Sequence, residues 1–368
     1  MVKWVKIGDL LEYEQPTKYL VDSTEYDDRH RTPVLTAGQS FILGYTNETA
    51  GIYKASSQNP TIIFDDFTTN FHFVSFDFKV KSSAMKMLRP KKDDVSFKYV
   101  YYSMLGIKYT PAEHARQWIS CYSNFEIPLP SLSEQQRIVD ILDKFEGMVE
   151  NVEKELLLRQ KQYEVYREKI IAEVSSIGIV KTLGEIGTFI RGNGLQKSDF
   201  VDKGRPCIHY GQIHTYYGLY TNETISCCKN ELWKKLKHAR KGDLLIATTS
   251  EDVEACCKAT AWMGEEEVAY SGDSFCFSHN QNPIYVAHLF KTESFAEQKK
   301  PAATGAKVVR VSGDAMSKFK FPFPSPDKQQ EIVAKLDKFE EMISTLKKEL
   351  ELRKKQYEYY REKLLTFE

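Results

Sequence analysis

The stretch Ser131-Leu132-Ser133-Glu134-Gln135-Gln136-Arg137-Ile138-Val139-Asp140-Ile141-Leu142-Asp143-Lys144-Phe145-Glu146 returns later in the chain. There it reads Ser325-Pro326-Asp327-Lys328-Gln329-Gln330-Glu331-Ile332-Val333-Ala334-Lys335-Leu336-Asp337-Lys338-Phe339-Glu340. The match runs on without a gap to Lys161-Gln162-Tyr163-Glu164-Val165-Tyr166-Arg167-Glu168-Lys169, repeated from Lys355 to Lys363. From Ser131 to Ile171, 24 of 41 positions are identical at a constant offset of 194. A long repeat at fixed spacing means that one structural unit occurs twice.

Each copy predicts one long helix. Pro130 and Pro326 flank the starts, and Ser133-x-x-Gln136 and Asp327-x-x-Gln330 read as cap and capping-box signals. Ile138, Phe145, Val152, Arg159 and Tyr166 fall seven apart, as do Leu142, Val149, Leu156, Tyr163 and Ile170. The second copy repeats the rows as Ile332, Phe339, Leu346, Arg353 and Tyr360, and as Leu336, Ile343, Leu350, Tyr357 and Leu364. Two interleaved apolar rows at heptad spacing are a coiled-coil seam. Neither helix hides its seam alone, so the copies are expected to pack on each other. Arg159 and Arg353 are the charged seam positions. Either their stems lie over the seam with the heads in water, or they mark the register.

Outward from the helices the repeat fades. Val5-Lys6-Ile7-Gly8-Asp9-Leu10 resembles Lys181-Thr182-Leu183-Gly184-Glu185-Ile186, and Phe125-Glu126-Ile127-Pro128-Leu129-Pro130 aligns with Phe319-Lys320-Phe321-Pro322-Phe323-Pro324. Between these marks the segments share little. The expected fold class is α+β: two mixed α/β domains joined by two long helices that form an antiparallel coiled coil, with a pseudo-twofold internal repeat. Equivalent halves of a domain–helix–domain–helix chain close only if the helices are antiparallel, with Ile138 near the end of the second helix and Tyr166 near its start. The expected boundaries are 1–130 and 174–324 for the domains and 131–173 and 325–368 for the helices. Strands are expected at 61–64, 71–76 and 244–248, and helices at 97–105 and 229–241.

Composition bounds the function. The chain has 368 residues, 42% hydrophobic and 28% charged, which suits two or three globular domains and excludes a mostly disordered chain. No apolar run approaches the roughly 20 residues of a membrane helix, and the start lacks a signal-peptide pattern, so a soluble, cytoplasmic protein without membrane partners is expected. Seven cysteines, two pairs of them adjacent, suit free thiols rather than a disulfide framework or a metal knuckle. Lys plus Arg and Asp plus Glu both total 51, which argues against a polybasic nucleic-acid coat. There is no Walker A loop. Asn282-Pro283-Ile284-Tyr285 lacks the second proline of an amino-methyltransferase loop and reads as a turn before a strand. His209 and His214 have no Cys/His partners at ligand spacing and read as surface residues. No cofactor, metal or catalytic group is expected.

Two dissimilar domains, each closed by a near-identical helix that opens on Pro-x-Pro-Ser or Pro-Ser and carries Gln-Gln-x-Ile-Val and Leu-Asp-Lys-Phe, resemble the specificity (S) subunit of type I restriction-modification enzymes. Pro33-Val34-Leu35-Thr36-Ala37-Gly38, Phe64-Asp65-Asp66-Phe67-Thr68 and Gly204-Arg205-Pro206-Cys207-Ile208-His209-Tyr210 are similar to the family's target-recognition domains. The resemblance implies a non-catalytic subunit that binds double-stranded DNA at an asymmetric bipartite site, one half per domain. It implies partners as well: modification subunits, two in number, that methylate adenine, and restriction subunits reached through the complex. The constant coiled coil would dock the modification subunits and set the spacer. A coiled-coil protein adaptor without DNA reading, or a stand-alone methyltransferase, are the alternatives.

Base reading needs small polar and amide side chains on loops that enter a groove. In the first domain the candidates are Gly38, Gln39, Thr68 and Thr69, with Lys108, Arg116 and Gln117 toward its end. In the second they are Arg191, Asn193, Gln196, Lys197, Tyr210, Gln212, Thr248, Thr249 and Ser250, with Lys307 and Arg310 toward its end. Two basic clusters, Lys79 to Lys92 and Lys229 to Lys241, are candidates for phosphate contact.

Overall fold

A computed structural model describes residues 2–38, 40–174, 178–305 and 307–367. They form two compact units, one of Met1–Glu153 with Lys348–Glu368, the other of Lys154–Lys347. Both cuts fall inside a long helix, at positions related by the offset of the sequence repeat. Each unit thus contains a mixed domain, the first half of the helix that follows it and the second half of the other helix.

In the first unit an antiparallel sheet runs in the order Leu11–Glu14, Met85–Pro90, Thr61–Asp65, Phe71–Val74, and a second sheet joins Ile42–Thr46, Thr32–Leu35 and Lys79–Val80. The run Thr61-Ile62-Ile63-Phe64 is apolar on both sides because both faces of its strand are covered. Ile62 and Phe64 enter one core with Val100, Met104 and Trp118, while Ile63 enters another with Leu35, Tyr53 and Phe78. The helix Phe97–Leu105 forms where its pattern predicts, capped by the Ser96 side chain.

The first basic cluster is split: Lys81, Lys91 and Lys92 are exposed, but Lys79 and Lys86 are turned inward. Lys79 pairs with Glu48 at 2.6 Å and donates to the Ala50 carbonyl, and Lys86 pairs with Asp66 at 3.0 Å with both side chains only 2% exposed. Strand alternation turns these lysines inward, where an unpaired charge would be prohibitively costly.

The second unit has two five-stranded sheets. One runs Gly187–Arg191, Ser274–His279, Leu244–Ala247, Lys258–Trp262, Tyr220–Thr221; the other runs Phe200–Val201, Cys227–Cys228, Arg205–Ile208, Val268–Tyr270, His238–Ala239. Of the helix expected at 229–241 only Asn230–Trp233 forms, because His238–Ala239 pairs with Val268–Ala269 as a sheet edge. Asn282 does not precede a strand. It caps the helix Pro283–Leu289, its Oδ1 accepting from the amides of Ile284 and Tyr285 at 3.1 Å.

The long helices span Leu132–Val174 and Pro326–Leu365. Their caps are Ser131 and Ser325, two residues ahead of the expected Ser133 and Asp327; the Ser131 hydroxyl accepts from the Glu134 amide. All twenty seam positions are buried or half-buried. In the first unit Phe145 stacks on Tyr360 with centroids 4.8 Å apart, and Ile138 and Leu142 share a core with Tyr357 and Leu364. In the second unit Tyr166 and Tyr163 lie 5.3 and 5.8 Å from Phe339, and Ile332, Leu336 and Ile343 share their core. Within each unit the paired segments are therefore antiparallel. Arg159 bonds Glu155 and Gln162 on its own helix, and Arg353 bonds Glu349 and Gln356 likewise. Their heads reach outward along the helix, which is the snorkelling arrangement and not a cross-helix register pair.

The faint flanking repeats form matching structures. Lys3–Lys6 pairs antiparallel with Glu126–Leu129, and Ile179–Thr182 pairs antiparallel with Lys320–Phe323. Gly8 and Gly184 are glycine because a Cβ would stand 3.0 Å from the Ser123 carbonyl oxygen and 3.1 Å from that of Ser317. The repeated glutamine pair is explained as well. Gln135 accepts from the Ser96 amide at 2.9 Å and donates to the Pro130 carbonyl at 2.9 Å. Gln329 accepts from the Asn282 amide at 3.0 Å and donates to the Pro324 carbonyl at 2.9 Å. Each is buried and ties the N-cap of a domain helix to the start of a long helix.

Candidate nucleic-acid interface

In the first unit the turn after Thr61–Asp65 is built by Asp65, whose Oδ1 accepts from the amides of Phe67 and Thr68 at 2.9 and 2.8 Å. The turn carries Thr69 into the left-handed region at φ 59°, a conformation costly for a β-branched residue. The neighbouring Asp66 organises the rest. Its carbonyl accepts from the Gln117 amide at 2.7 Å and its carboxylate from the Trp118 amide at 2.8 Å, so Arg116 and Gln117 sit beside the turn. Phe67 stacks on His114 at 4.5 Å across the same junction.

Gly38, Thr68 and Thr69 line one cavity of about 510 Å³ with Asn70, His72 and Tyr109, and His72 Nε2 lies 3.1 Å from the Gly38 carbonyl. Gln39 lies outside the described residues. The Gln117 amide is engaged internally, accepting from Tyr109 and donating to the Glu113 and Ala115 carbonyls, so it holds the 109–117 loop closed. Arg116 is exposed. Lys108 is not part of this group; it pairs with Glu362 at 3.2 Å on a separate cavity.

In the second unit Arg191, Gln196, Lys197 and Tyr210 line a cavity of about 800 Å³ with His209, Ser271, Gly272 and Asp273. Asp273 is its hub. Thr249 donates to its carboxylate at 3.1 Å, Thr248 to its carbonyl at 3.4 Å, and the Arg191 guanidinium stands 3.9 Å away while bonding the Gly272 carbonyl. Ser250 and Arg310 are drawn in by the short strand pair Thr249–Ser250 with Val309–Arg310. Lys307 is exposed on the loop that precedes this strand.

Asn193 uses its amide on the Lys235 carbonyl and the Lys237 amide, at 3.0 and 2.8 Å. That ties the Arg191–Lys197 loop to the second basic cluster, where Lys229, Lys234, Lys235 and Lys237 are all exposed. Arg240 and Lys241 pair instead with Glu267 and Glu265. Gln212 is internal, bonded to the His209 amide and Ser226. His209 is buried, contrary to its reading as a surface residue; burial first, then the Lys197 charge, lowers its pKa.

Sequence reasoning missed the Ser271-Gly272-Asp273 turn, His209 and His72. The Gly-Asp between two strands was a usable turn signal, but nothing local marked the histidines. Among the described residues no group of three or more His, Cys, Asp or Glu stands where it could hold a metal ion, and no helix is long and apolar enough to cross a membrane. What the second cavity presents is a cationic, amide- and hydroxyl-rich rim suited to phosphates and base edges.

The family described as type I restriction modification DNA specificity domain matches residues 1–158 and again residues 179–353, and the chain belongs to it. The EcoR124I/EcoR124II specificity subunit of Escherichia coli is 36% identical over 100% of this chain and 94% of its own length. A specificity subunit of Haemophilus influenzae, named as putative, is 27% identical over 89% of this chain and 86% of its own. The crystal structure of the S subunit of a type I restriction-modification system from M. genitalium superposes with a TM-score of 0.59 at 15% identity, covering 100% of this chain and 97% of that one. That likeness shows a shared fold.

Proposed function

We propose that the chain is the DNA-reading, non-catalytic subunit of a type I restriction-modification complex. Each mixed domain reads one half of an asymmetric bipartite site, and the helix pair carries the modification subunits, two in number, with restriction subunits joining through the complex. The observation that supports this best is the pairing of near-identical helices with dissimilar domains whose polar loops each converge on one cavity. A constant scaffold suits a constant partner; two unlike cavities suit two unlike sequences. In the first domain Gly38, Thr68, Thr69 and Arg116 are the reading groups; in the second, Arg191, Gln196, Lys197, Tyr210 and Thr248 to Ser250, with Lys307 and Arg310. Asn193, Gln117 and Gln212 hold the loops in shape.

The test exchanges residues 1–130 for the matching part of a relative and sequences the methylated motif in cells that also carry the modification subunit. One half of the motif should change and the other stay. A change in both halves, or in neither, overturns the reading.

A further inference from the structure

The second unit contains a cavity of about 710 Å³, distinct from the one around Asp273. Six cations line it: Lys161, Arg167 and Lys347 on the two long helices, Lys258 at the start of strand Lys258–Trp262, Lys291 after the helix Pro283–Leu289, and Lys299 in the helix Glu293–Ala302; three acids, Glu164, Glu254 and Glu340, line it with them. Arg167 is only 7% exposed, yet its Nε has no acceptor. Its nearest carboxylate oxygen, Oε1 of Glu168, is 3.7 Å away and already accepts from the Glu293 amide. Its guanidinium lies over the Tyr163 ring, 5.5 Å from the centroid.

The facing acid, Glu340, accepts from Tyr163 at 2.7 Å and stands 3.8 Å from Lys291. Burial, and then the charges of Arg167, Lys258 and Lys347, hold the Lys291 ammonium below its ordinary pKa against the opposing pull of Glu340. Like charges converging on a cavity destabilise a fold unless an anion joins them. Phe290, Phe295 and Ile343 supply an apolar wall.

The repeat contains its own control. Arg361, the counterpart of Arg167, also lies over a tyrosine ring with an unpartnered Nε. Its cavity, however, holds Glu126 and Glu362 beside Lys108, so charge there is balanced.

We infer that this cavity of the second unit binds a small polyvalent phosphate-bearing anion, with Arg167 and Lys291 as its principal contacts. The excess of cations over acids matches more than one charged group, and the apolar wall leaves room for a body beyond the phosphates. Free phosphorylated compounds and the phosphates of DNA share this chemistry; the free compound is the proposed ligand, because an arginine this buried suits a small molecule better than a duplex backbone.

The experiment titrates the full chain with inorganic pyrophosphate by calorimetry at constant ionic strength. Saturable one-site binding is expected. Arg167→Met with Lys291→Met should weaken it tenfold or more, and so should Lys291→Gln alone by severalfold, while Arg361→Met and the pair Arg191→Gln with Lys197→Gln leave it unchanged. Circular-dichroism melts identify any variant that fails to fold. No saturable binding by the parent chain overturns the proposal. So does loss of binding in the Arg191 and Lys197 variant, which would place the anion at the other cavity. Displacement of pyrophosphate by a short duplex would assign the cavity to DNA phosphates and equally overturn it.

Discussion

Replacing Gln329 by leucine should destabilise the second unit severely, although leucine is close to glutamine in volume. Gln329 is 1% exposed and makes three hydrogen bonds: it accepts from the Asn282 amide and donates to the Pro324 carbonyl and to Gln281 Oε1. Leucine leaves the Asn282 N–H and the Pro324 carbonyl without partners. At about 1–3 kcal/mol for each buried group left unsatisfied, the cost is roughly 2–6 kcal/mol. A unit of this size loses about 3 °C of melting temperature per kcal/mol, so its transition should fall by roughly 6–18 °C. Gln330 is the comparison. It is exposed and makes one bond, accepting from Asn282 Nδ2 at 2.9 Å, so Gln330→Leu should cost less than about 1 kcal/mol. Gln135→Leu should act on the first unit as Gln329→Leu acts on the second. Calorimetric melts of the full chain, in which the units are followed as separate transitions where they resolve, read all three. Equal effects of Gln329→Leu and Gln330→Leu would refute the reasoning, as would a Gln329→Leu shift of under 2 °C.

Three further expectations follow from the same geometry. Burial holds the His288 and His279 rings neutral, with pKa values near 3 and 4 against 6.5 when unfolded, so stability is full above pH 6.5 and falls on acidification. Each ring should contribute a loss of about 1.4 kcal/mol per pH unit below that point, and His288→Asn should flatten the acid limb of a stability–pH curve; an unchanged limb would count against it. Glutamine at Lys234, Lys235 and Lys237 together should reduce the salt dependence of duplex binding by the assembled complex, at about 0.9 in logarithmic slope for each phosphate contact removed. An unaltered slope would remove these lysines from the interface. Charge reversal at Glu155 and Glu349 breaks only intrahelical pairs with Arg159 and Arg353, a stability cost of about 0.5 kcal/mol each; assembly with modification subunits on gel filtration should weaken while the melt barely moves.

The long helices, their seam and their antiparallel pairing were legible in the chain itself, because a heptad is a local pattern and a repeated one leaves few ways to close. The helix Phe97–Leu105 and the strand at Thr61 were legible for the same reason: propensity, cap and periodicity agreed there. Tertiary structure decided what local pattern leaves open. It turned Lys79 and Lys86 inward through strand alternation and pairing with Glu48 and Asp66. It ended a basic helical stretch at Trp233 and set His238–Ala239 at the edge of a sheet. Above all it assigned the glutamines. Gln136 and Gln330 carried the capping-box signal and Gln135 and Gln329 none, yet the latter are buried ties to the N-caps Ser96 and Asn282, about 40 to 50 residues away in the chain. The candidate loops were found one by one from their composition, but only the fold gathers Arg191, Tyr210 and Thr249 around Asp273. A hydrogen bond between segments far apart in sequence leaves no periodic trace in either of them, and burial of a charge depends on which strand it faces, which no window of residues contains.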